Sequence, residues 1–313
     1  MGTAVYRLAG LRVMSDFALV GVESCRNDAN AHNDVVIRRA PVPAGLALAA
    51  MADSERSQVR QVDGRQGKEV FLHFPGVAQF LIRAGREILI DPAPSSDAGE
   101  VRAYLLGTAF GVLCHQRGIT PLHASAVDIE DGCVAFVGAS GAGKSTLVAA
   151  LARRGHGIIS DDVCFLQLDG KGNVLVGPGI ERIRLWADAV YALGYDGPDV
   201  QREMHGYNKY FVPVRSSHSR ARHRLLRCVY ELHASPDEAI EVSPLQGGVA
   251  VEVLMQNVYR LNLAERLGYK PPAFIACAEA ARNVPVFRLS RPKHFRALEE
   301  TIEVLEDHLH QVW

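Results

Sequence analysis

The chain has 313 residues, of which 48% are hydrophobic and 22% charged, an ordinary balance for a globular protein with a sizeable core. Its 34 basic and 35 acidic residues give a formal net charge of −1, so the overall charge indicates no nucleic-acid partner. The six cysteines form no C-x-x-C pair, which excludes the common zinc-ribbon and thioredoxin-type motifs and favours reduced thiols. Without an export signal or an apolar run of roughly 20 residues, we expect a cytoplasmic protein with no membrane partner.

The first part of the chain has the pattern of a small β-rich domain. Short apolar runs such as that at 70–74 are separated by turn residues, including Pro75-Gly76 and Asp91-Pro92. We place this domain at residues 1–98. It is interpreted either as a packing or dimer module or as a docking site for a peptide that adds a strand to its sheet.

Residues 99–313 alternate helix and strand patterns in the manner of an α/β domain. A strand pattern at 133–137 runs into a glycine-rich loop, and an apolar helix pattern continues to 154, before Gly155. A further strand pattern lies at 157–160. In open α/β sheets ligands bind at the carboxyl ends of the strands, so we expect the functional residues to follow these strands.

The loop after the first of these strands fits the phosphate-binding pattern G-x-x-x-x-G-K-[ST] at every fixed position. Glycines let successive backbone N–H groups turn toward phosphate oxygens, and the following helix adds its positive end. We expect Lys144 to reach the β- and γ-phosphates and Ser145 to bind Mg²⁺. ATP is the default nucleotide, because such a loop recognises phosphates and not the base. The predicted nucleotide-binding residues are Gly138, Ala139, Ser140, Gly141, Ala142, Gly143, Lys144, Ser145 and Thr146.

Two adjacent carboxylates, Asp161 and Asp162, follow the next apolar strand. One would hold Mg²⁺ directly or through water, and the other would accept the proton of an attacking hydroxyl. The residue pattern does not assign the two roles, and a solvated turn or helix cap is the alternative interpretation. His123 precedes a strand and, taken alone, is more typical of a structural histidine.

Three segments in this order resemble the catalytic domain of the HPr serine kinase/phosphorylase family. They are L-H-A-S-A-V-D-I, V-G-A-S-G-A-G-K-S-T and R-R-G-H-G-I-I-S-D-D-V. The resemblance covers residues 100–168 well and the rest of the C-terminal half loosely. It implies an α/β P-loop kinase fold related to phosphoenolpyruvate carboxykinase, and an enzyme that phosphorylates a serine of a peptide or small protein.

The resemblance also implies roles for individual residues. His123 matches the active-site histidine of the family, Lys144 the loop lysine and Ser145 the magnesium ligand. The Asp161-Asp162 pair matches the acidic pair that includes the proton acceptor; we assign the proton to Asp162 and the metal to Asp161. Glu181 matches a second magnesium-binding carboxylate. Arg227 is the candidate for a catalytic arginine that the family places later in the chain.

The chain departs from the family at several points. Thr146 follows the loop serine where the family has glutamate, and Ala124-Ser125 follows the histidine where Gly-Val is common. The first hundred residues resemble instead the β-rich leader of HPr-kinase-like enzymes that modify peptides, including kinases similar to lasso-peptide tailoring enzymes. The preferred subclass is therefore a kinase of a ribosomal precursor peptide. The sequence leaves open whether the reverse phosphorylase reaction of the classical enzymes exists here.

Other functions share parts of this pattern. A nucleotide-regulated binding module would keep the loop but need no general base, and a small-molecule kinase would share the whole site. We interpret Lys209 and the basic segment 215–227 as a solvated surface, with contact to an acidic substrate or phosphate as the alternative. Trp186 and Tyr191 are interpreted as core aromatics. The sequence leaves a homo-oligomer open.

Overall fold

The computed structural model divides the chain into two compact units. The N-terminal unit comprises Met1–Ile119 and Asn262–Lys270, and the C-terminal unit comprises Thr120–Leu261 and Pro271–Trp313. The structure describes residues 2–28, 31–43, 45–46, 57–64, 67–180, 182–195, 197, 200–202, 208–213 and 222–312.

The N-terminal unit is built on an eight-stranded sheet with the strand order β3-β1-β2-β4-β8-β7-β6-β5. β4 pairs in parallel with β2 and β8, and the other neighbours are antiparallel. Phe71 and Leu81, which lie opposite each other on neighbouring strands, are fully buried in its core. The β-rich character predicted for this region is confirmed. The strands are β1 (Ala4–Leu8), β2 (Leu11–Ser15), β3 (Glu23–Cys25), β4 (Val35–Arg39), β5 (Gln58–Gly64), β6 (Gly67–Phe74), β7 (Ala78–Arg83) and β8 (Glu87–Pro92).

A helical segment follows this sheet. Its parts are α1 (Ala98–Tyr104), a π-helical turn (Leu105–Ala109) and α2 (Phe110–Gln116). The Asp97 side chain caps α1 by accepting hydrogen bonds from the N–H groups of Gly99 and Glu100. Because α2 packs against β7 and β8, the segment groups with the N-terminal unit. The division therefore falls after Ile119, and not at the 98/99 boundary expected from the sequence.

The C-terminal unit contains a nine-stranded sheet, a separate three-stranded sheet and flanking helices. The strands of the large sheet are β9 (Thr120–Leu122), β10 (Ser125–Ile129), β11 (Gly132–Val137), β12 (Ile158–Ser160), β13 (Cys164–Leu168), β14 (Val174–Gly177), β18 (Arg224–Ala234), β19 (Glu241–Leu245) and β20 (Val286–Arg291). The small sheet consists of β15 (Arg182–Trp186), β17 (Lys209–Pro213) and β16 (Gln201–Arg202). The helices from here to the end of the chain are α3 (Lys144–Arg153), α4 (Ala187–Ala192), α5 (Gly247–Gln256), α6 (Leu261–Arg266), α7 (Lys270–Asn283), a 3₁₀ turn (Phe295–Ala297) and α8 (Leu298–Val312).

The large sheet is covered on both faces, and β11 shows why. Every residue of β11 is buried, as expected for a central strand with parallel pairing. Ala135 and Val137 belong to a core with apolar residues of α5 and α7. Val134 and Phe136 point to the other face and belong to a core with residues of α3 and α8. This confirms the α/β layering that the sequence predicts for the C-terminal half.

Strand directions decide which chain segments meet at one edge of this sheet. β11 and β20 both run parallel to β18. β10 is antiparallel to β11, and β12 is antiparallel to β10, so β12 runs in the direction of β11. The carboxyl ends of β11, β12 and β20 and the amino end of β10 therefore lie at the same edge. The residues that follow or precede these ends come from four separate parts of the sequence.

In the part of the chain that the structure describes, no helix combines the length and the apolarity needed to cross a membrane.

Candidate functional site

The glycine-rich loop lies between β11 and α3, at the edge just defined. Gly138, Gly141 and Gly143 have φ angles of 137°, 79° and 90°, a region that favours glycine. A Cβ on Gly138 would also lie 2.9 Å from the carbonyl oxygen of Leu232. Since α3 starts at Lys144, its unpaired N-terminal N–H groups lie at the loop. The loop thus has the strand-loop-helix setting that a phosphate cradle requires.

Lys144 lies within this loop and is 6% exposed. Its Nζ donates hydrogen bonds to the carbonyl oxygens of Gly138, at 2.7 Å, and Ala139, at 3.3 Å. Burial lowers the pKa of Lys144, and the charges of Asp162 and Asp161 oppose that shift. The ammonium group is therefore held at the centre of the loop by neutral oxygens, at the position from which a phosphate-binding lysine acts.

Asp161 is buried, 3% exposed, and its carboxylate is surrounded by donors. Oδ1 accepts hydrogen bonds from Ser125 Oγ at 2.6 Å and Ser145 Oγ at 2.8 Å, and Oδ2 accepts one from the backbone N–H of Arg184 at 2.9 Å. Burial raises the pKa of Asp161, whereas these hydrogen bonds lower it. Asp161 is thus fixed directly beside the loop serine, with little capacity left to accept a substrate proton.

Asp162 has a different environment from its neighbour. Its φ of 74° is unusual for a residue other than glycine, and such backbone conformations cluster at functional sites. Oδ2 accepts a hydrogen bond from Arg184 Nη1 at 2.8 Å, and Oδ1 lies 3.4 Å from His123 Nδ1. The side chain is 30% exposed and lines the cavity described below. Of the two carboxylates, Asp162 is the one that a substrate can reach.

His123 contacts Asp162 through Nδ1, which lies 3.0 Å from the Asp162 carbonyl oxygen. Because a carbonyl oxygen only accepts, this contact requires a proton on Nδ1 and leaves Nε2 as the acceptor of a neutral ring. Burial lowers the pKa of His123, the Lys144 charge lowers it further, and Asp162 opposes both. The backbone N–H of His123 donates to the Asn257 carbonyl oxygen at 2.7 Å, which fixes the start of β10.

These groups surround a cavity of about 400 Å³ in the C-terminal unit. Its lining is rich in cationic side chains, which favours an anionic ligand. Thr146 also lines it, as do Ser140 and Gly141 of the loop. The basic residues of the lining are Lys144, Arg184, Lys209, Arg291 and Lys293.

The chemistry of the donors fits Mg²⁺. Ser145 Oγ and Asp161 Oδ1 lie 2.8 Å apart, so these two oxygens could both serve as ligands of one bound ion. Mg²⁺ bound with a nucleotide typically takes one or two protein oxygens and completes its shell with phosphates and water. Glu181, the other predicted ligand, lies outside the described residues. Within those residues, no group of three or more His, Cys, Asp or Glu side chains forms a metal cluster.

The structure corrects the expectation for Arg227. This residue lies near the start of β18, where Leu226 pairs with Cys133 at the amino end of β11. Its Nε donates to the Asp131 carbonyl oxygen at 3.0 Å, in the turn between β10 and β11. The loop follows the other end of β11, so Arg227 is at the opposite edge of the sheet and does not line the cavity.

The aromatic residues interpreted as core are also corrected. Trp186 is 49% exposed and Tyr191 is 90% exposed. Alternation along β15 explains Trp186, because Ile183 and Leu185 take the buried face of that strand. Lys209, interpreted as solvated, lines the cavity with its Nζ 4.7 Å from the Trp186 ring centroid.

The basic segment 215–227 is described only in part. Residues 214–221 lie outside the described residues, so most of this expectation is not addressed by the structure. Arg224, which is described, forms an ion pair with Asp128 at 2.6 Å, on β10.

Several residues of the site were not predicted as functional. Ser125 lies within the L-H-A-S-A-V segment, which offered a signal for it. Asn257 ends α5, and its Oδ1 accepts a hydrogen bond from the Gly138 N–H at 2.9 Å. Arg184 and Arg291 belong to no recognisable motif. They line the cavity because of the way in which their strands pair. No local pattern distinguishes them from other arginines of the chain.

Comparisons with known proteins add little to this geometry. No family model matches the chain. No curated protein matches it either. Among solved structures, the HPr(Ser) kinase/phosphatase from Coxiella burnetii matches with 14% identity and a TM-score of 0.30, over 61% of this chain and 97% of that protein.

Proposed function

We propose that this chain is an ATP- and Mg²⁺-dependent kinase that transfers the γ-phosphoryl group to a serine hydroxyl of a peptide or small protein. The observation that supports the proposal is the convergence of four sequence segments at one sheet edge. There the loop lysine, the Ser145–Asp161 hydrogen bond and the His123–Asp162 contact line or adjoin a single cavity. A protein that binds a nucleotide without catalysing a reaction would not require the His123–Asp162 contact.

The phosphate side of the site consists of the loop N–H groups, the N-terminus of α3 and Lys144. Together they would hold the β- and γ-phosphates of the nucleotide. Ser145 and Asp161 would hold Mg²⁺, which when bound neutralises charge on the phosphate oxygens. These groups act by position and charge, which is the main requirement of phosphoryl transfer.

The acceptor side is formed by Asp162. In the proposed reaction the Asp162 carboxylate takes the proton of the acceptor hydroxyl, whose oxygen forms a bond to the γ-phosphorus. The bond from that phosphorus to the oxygen bridging to the β-phosphate breaks, and ADP leaves. Arg184 and neutral His123 hold Asp162 in place from two sides. Asp161 is the weaker candidate for this role, because its oxygens already accept three hydrogen bonds.

The acceptor class is proposed from the resemblance of the sequence to HPr-kinase-like enzymes that modify peptides. A ribosomal precursor peptide of the lasso type is the preferred substrate, with the N-terminal unit as its docking site. A cytoplasmic location, where ATP and a newly made peptide are both present, belongs to the same proposal.

The proposal is tested by incubating the protein with serine-containing precursor peptides, ATP and Mg²⁺, and measuring the peptide mass. We expect the mass of one phosphate to be added. Lys144→Ala should abolish transfer, since it removes the cation at the centre of the loop. The double variant Asp161→Asn, Asp162→Asn should abolish transfer and still bind nucleotide.

Arg227→Gln is the matched control for loss of a charged side chain, because this residue lies at the opposite edge of the sheet. It should transfer phosphate at the wild-type rate. Undiminished turnover in the Lys144 variant or in the double aspartate variant would refute the kinase assignment. Tight nucleotide binding without transfer to any hydroxyl would favour a nucleotide-regulated binding module.

A further inference from the structure

Arg291 is a buried cation at the edge of the candidate site. It ends β20 and is 6% exposed. Its Nη2 donates to the Ala142 carbonyl oxygen of the loop at 2.9 Å, and its Nη1 donates to the Pro292 carbonyl oxygen at 3.3 Å. Both partners are neutral, although a guanidinium group is always charged.

No opposite charge compensates Arg291 within the described residues. None of their carboxylates forms an ion pair with it, and its Nε is buried without a hydrogen-bond partner. Burial lowers the pKa of Arg291, and no acidic neighbour offsets that shift. Buried charges in proteins are normally paired with an opposite charge, because their desolvation is costly. A guanidinium in this state points to an anion that arrives with a ligand.

The loop is shaped to admit this guanidinium. A Cβ on Gly143 would lie 2.4 Å from Arg291 Nη2, so any side chain at this position would displace the guanidinium from its observed place. Arg291 also lines the cavity together with Lys144 and Gly143. Its five N–H donors exceed the two carbonyl oxygens that they meet, which leaves donors for a further acceptor.

We infer that Arg291 is a phosphate-binding residue, whose guanidinium contacts the polyphosphate of the bound nucleotide from outside the loop motif. This inference rests on the proposed function, since it requires nucleotide phosphates in the cavity. The alternative role is purely structural, with Arg291 holding the loop through the Ala142 carbonyl oxygen. Arg291→Gln removes the charge, and the salt dependence of anion binding separates the two roles, because only the loss of an ionic contact makes that dependence shallower.

The experiment measures binding of inorganic tripolyphosphate to the full chain by calorimetry, at several salt concentrations. We expect Arg291→Gln to weaken binding about ten- to a hundredfold, the loss typical of a charge-assisted hydrogen bond. The salt dependence of binding should also become shallower, because one charge contact is lost. Arg291→Met is the second neutral variant and should behave in the same way if the glutamine variant does not fold.

Arg288→Gln is the matched control. Arg288 lies on the same strand but is paired with Glu231 at 2.8 Å and does not line the cavity, so its loss should leave tripolyphosphate affinity unchanged. Wild-type affinity in the Arg291 variants would overturn the inference. Weaker binding with the wild-type salt dependence would also overturn it, in favour of the structural role. A wild-type chain that does not bind tripolyphosphate would instead refute the proposed function itself.

Discussion

At the scale of single residues, the proposed chemistry depends on a histidine that stays neutral. His123 faces Asp162 through Nδ1, but burial and the charge of Lys144 both lower its pKa. A protonated ring would pair with Asp162 and compete with the acceptor hydroxyl for this carboxylate. The lowered pKa therefore keeps the proposed proton acceptor available at neutral pH.

This arrangement predicts a titration that can be measured without activity. In NMR titrations the His123 signal, identified by its loss in His123→Gln, should show a pKa below that of an ordinary histidine. Lys144→Ala should raise that pKa, because it removes a nearby positive charge. Lys171→Ala, in an exposed turn, is the control and should leave it unchanged. An unchanged or lower pKa in the Lys144 variant would show that the two side chains are not coupled.

At the scale of elements, two glycines flank α3. Substituting each of them by alanine separates the effect of backbone strain from the effect of a steric conflict. Gly143 precedes the helix and Gly155 follows it, with φ angles of 90° and 101°. An added Cβ meets Arg291 Nη2 at 2.4 Å in the first case and nothing within 4 Å in the second. Alanine is strained at both positions, whereas only Gly143→Ala displaces the guanidinium.

We predict that Gly155→Ala lowers the free energy of unfolding by about 1–2 kcal/mol, the cost of a left-handed conformation, and keeps nucleotide affinity. Gly143→Ala should cost at least as much and also weaken nucleotide binding about tenfold, because the loop and Arg291 can no longer pack as they do. Denaturant unfolding and calorimetry measure the two effects. Equal nucleotide affinity in both variants would contradict the role given to Gly143.

The elements also show how far the sequence could predict the site. The strand-loop-helix setting of the glycine-rich loop was predictable because its residues are contiguous and the backbone conformation depends on glycines at fixed positions. The placement of Asp161-Asp162 after a strand was likewise a local pattern. Arg291 and Asn257 were missed because each contacts the loop from an element far away in the sequence. No local sequence pattern indicates such contacts.

The Arg227 interpretation failed for a related reason. A sequence shows that a residue lies on a strand, but not which end of that strand will face the site. That depends on β18 pairing in parallel with β11, so that Leu226 lies beside Cys133 and Glu231 beside Val137. A catalytic arginine on β18 would have to lie near the carboxyl end of the strand.

At the scale of the whole molecule, the topology of the large sheet builds the site from segments that are far apart in the sequence. The N-terminal β-rich character was predictable from short apolar runs between turns. The order in which strands of the C-terminal unit pair was not, since β18 enters the sheet beside β11, and β20 beside β18, from the last third of the chain. The four segments that meet at this edge and contribute to the cavity therefore come together only when the sheet is complete.

Hydrogen exchange provides the test of this topology. ADP with Mg²⁺ should protect amides in segments that are far apart in sequence but share one sheet edge, namely 123–125, 138–148, 160–163 and 289–293. The opposite edge supplies the internal control: the turn at 130–132 and the start of β18, including Arg227, should exchange as in the free protein. Protection of that edge, or protection limited to the loop alone, would contradict a site assembled from four segments. Because each segment contributes a different group, loss of protection in only one of them, in a variant such as Arg291→Gln, would identify the contact that the variant removes.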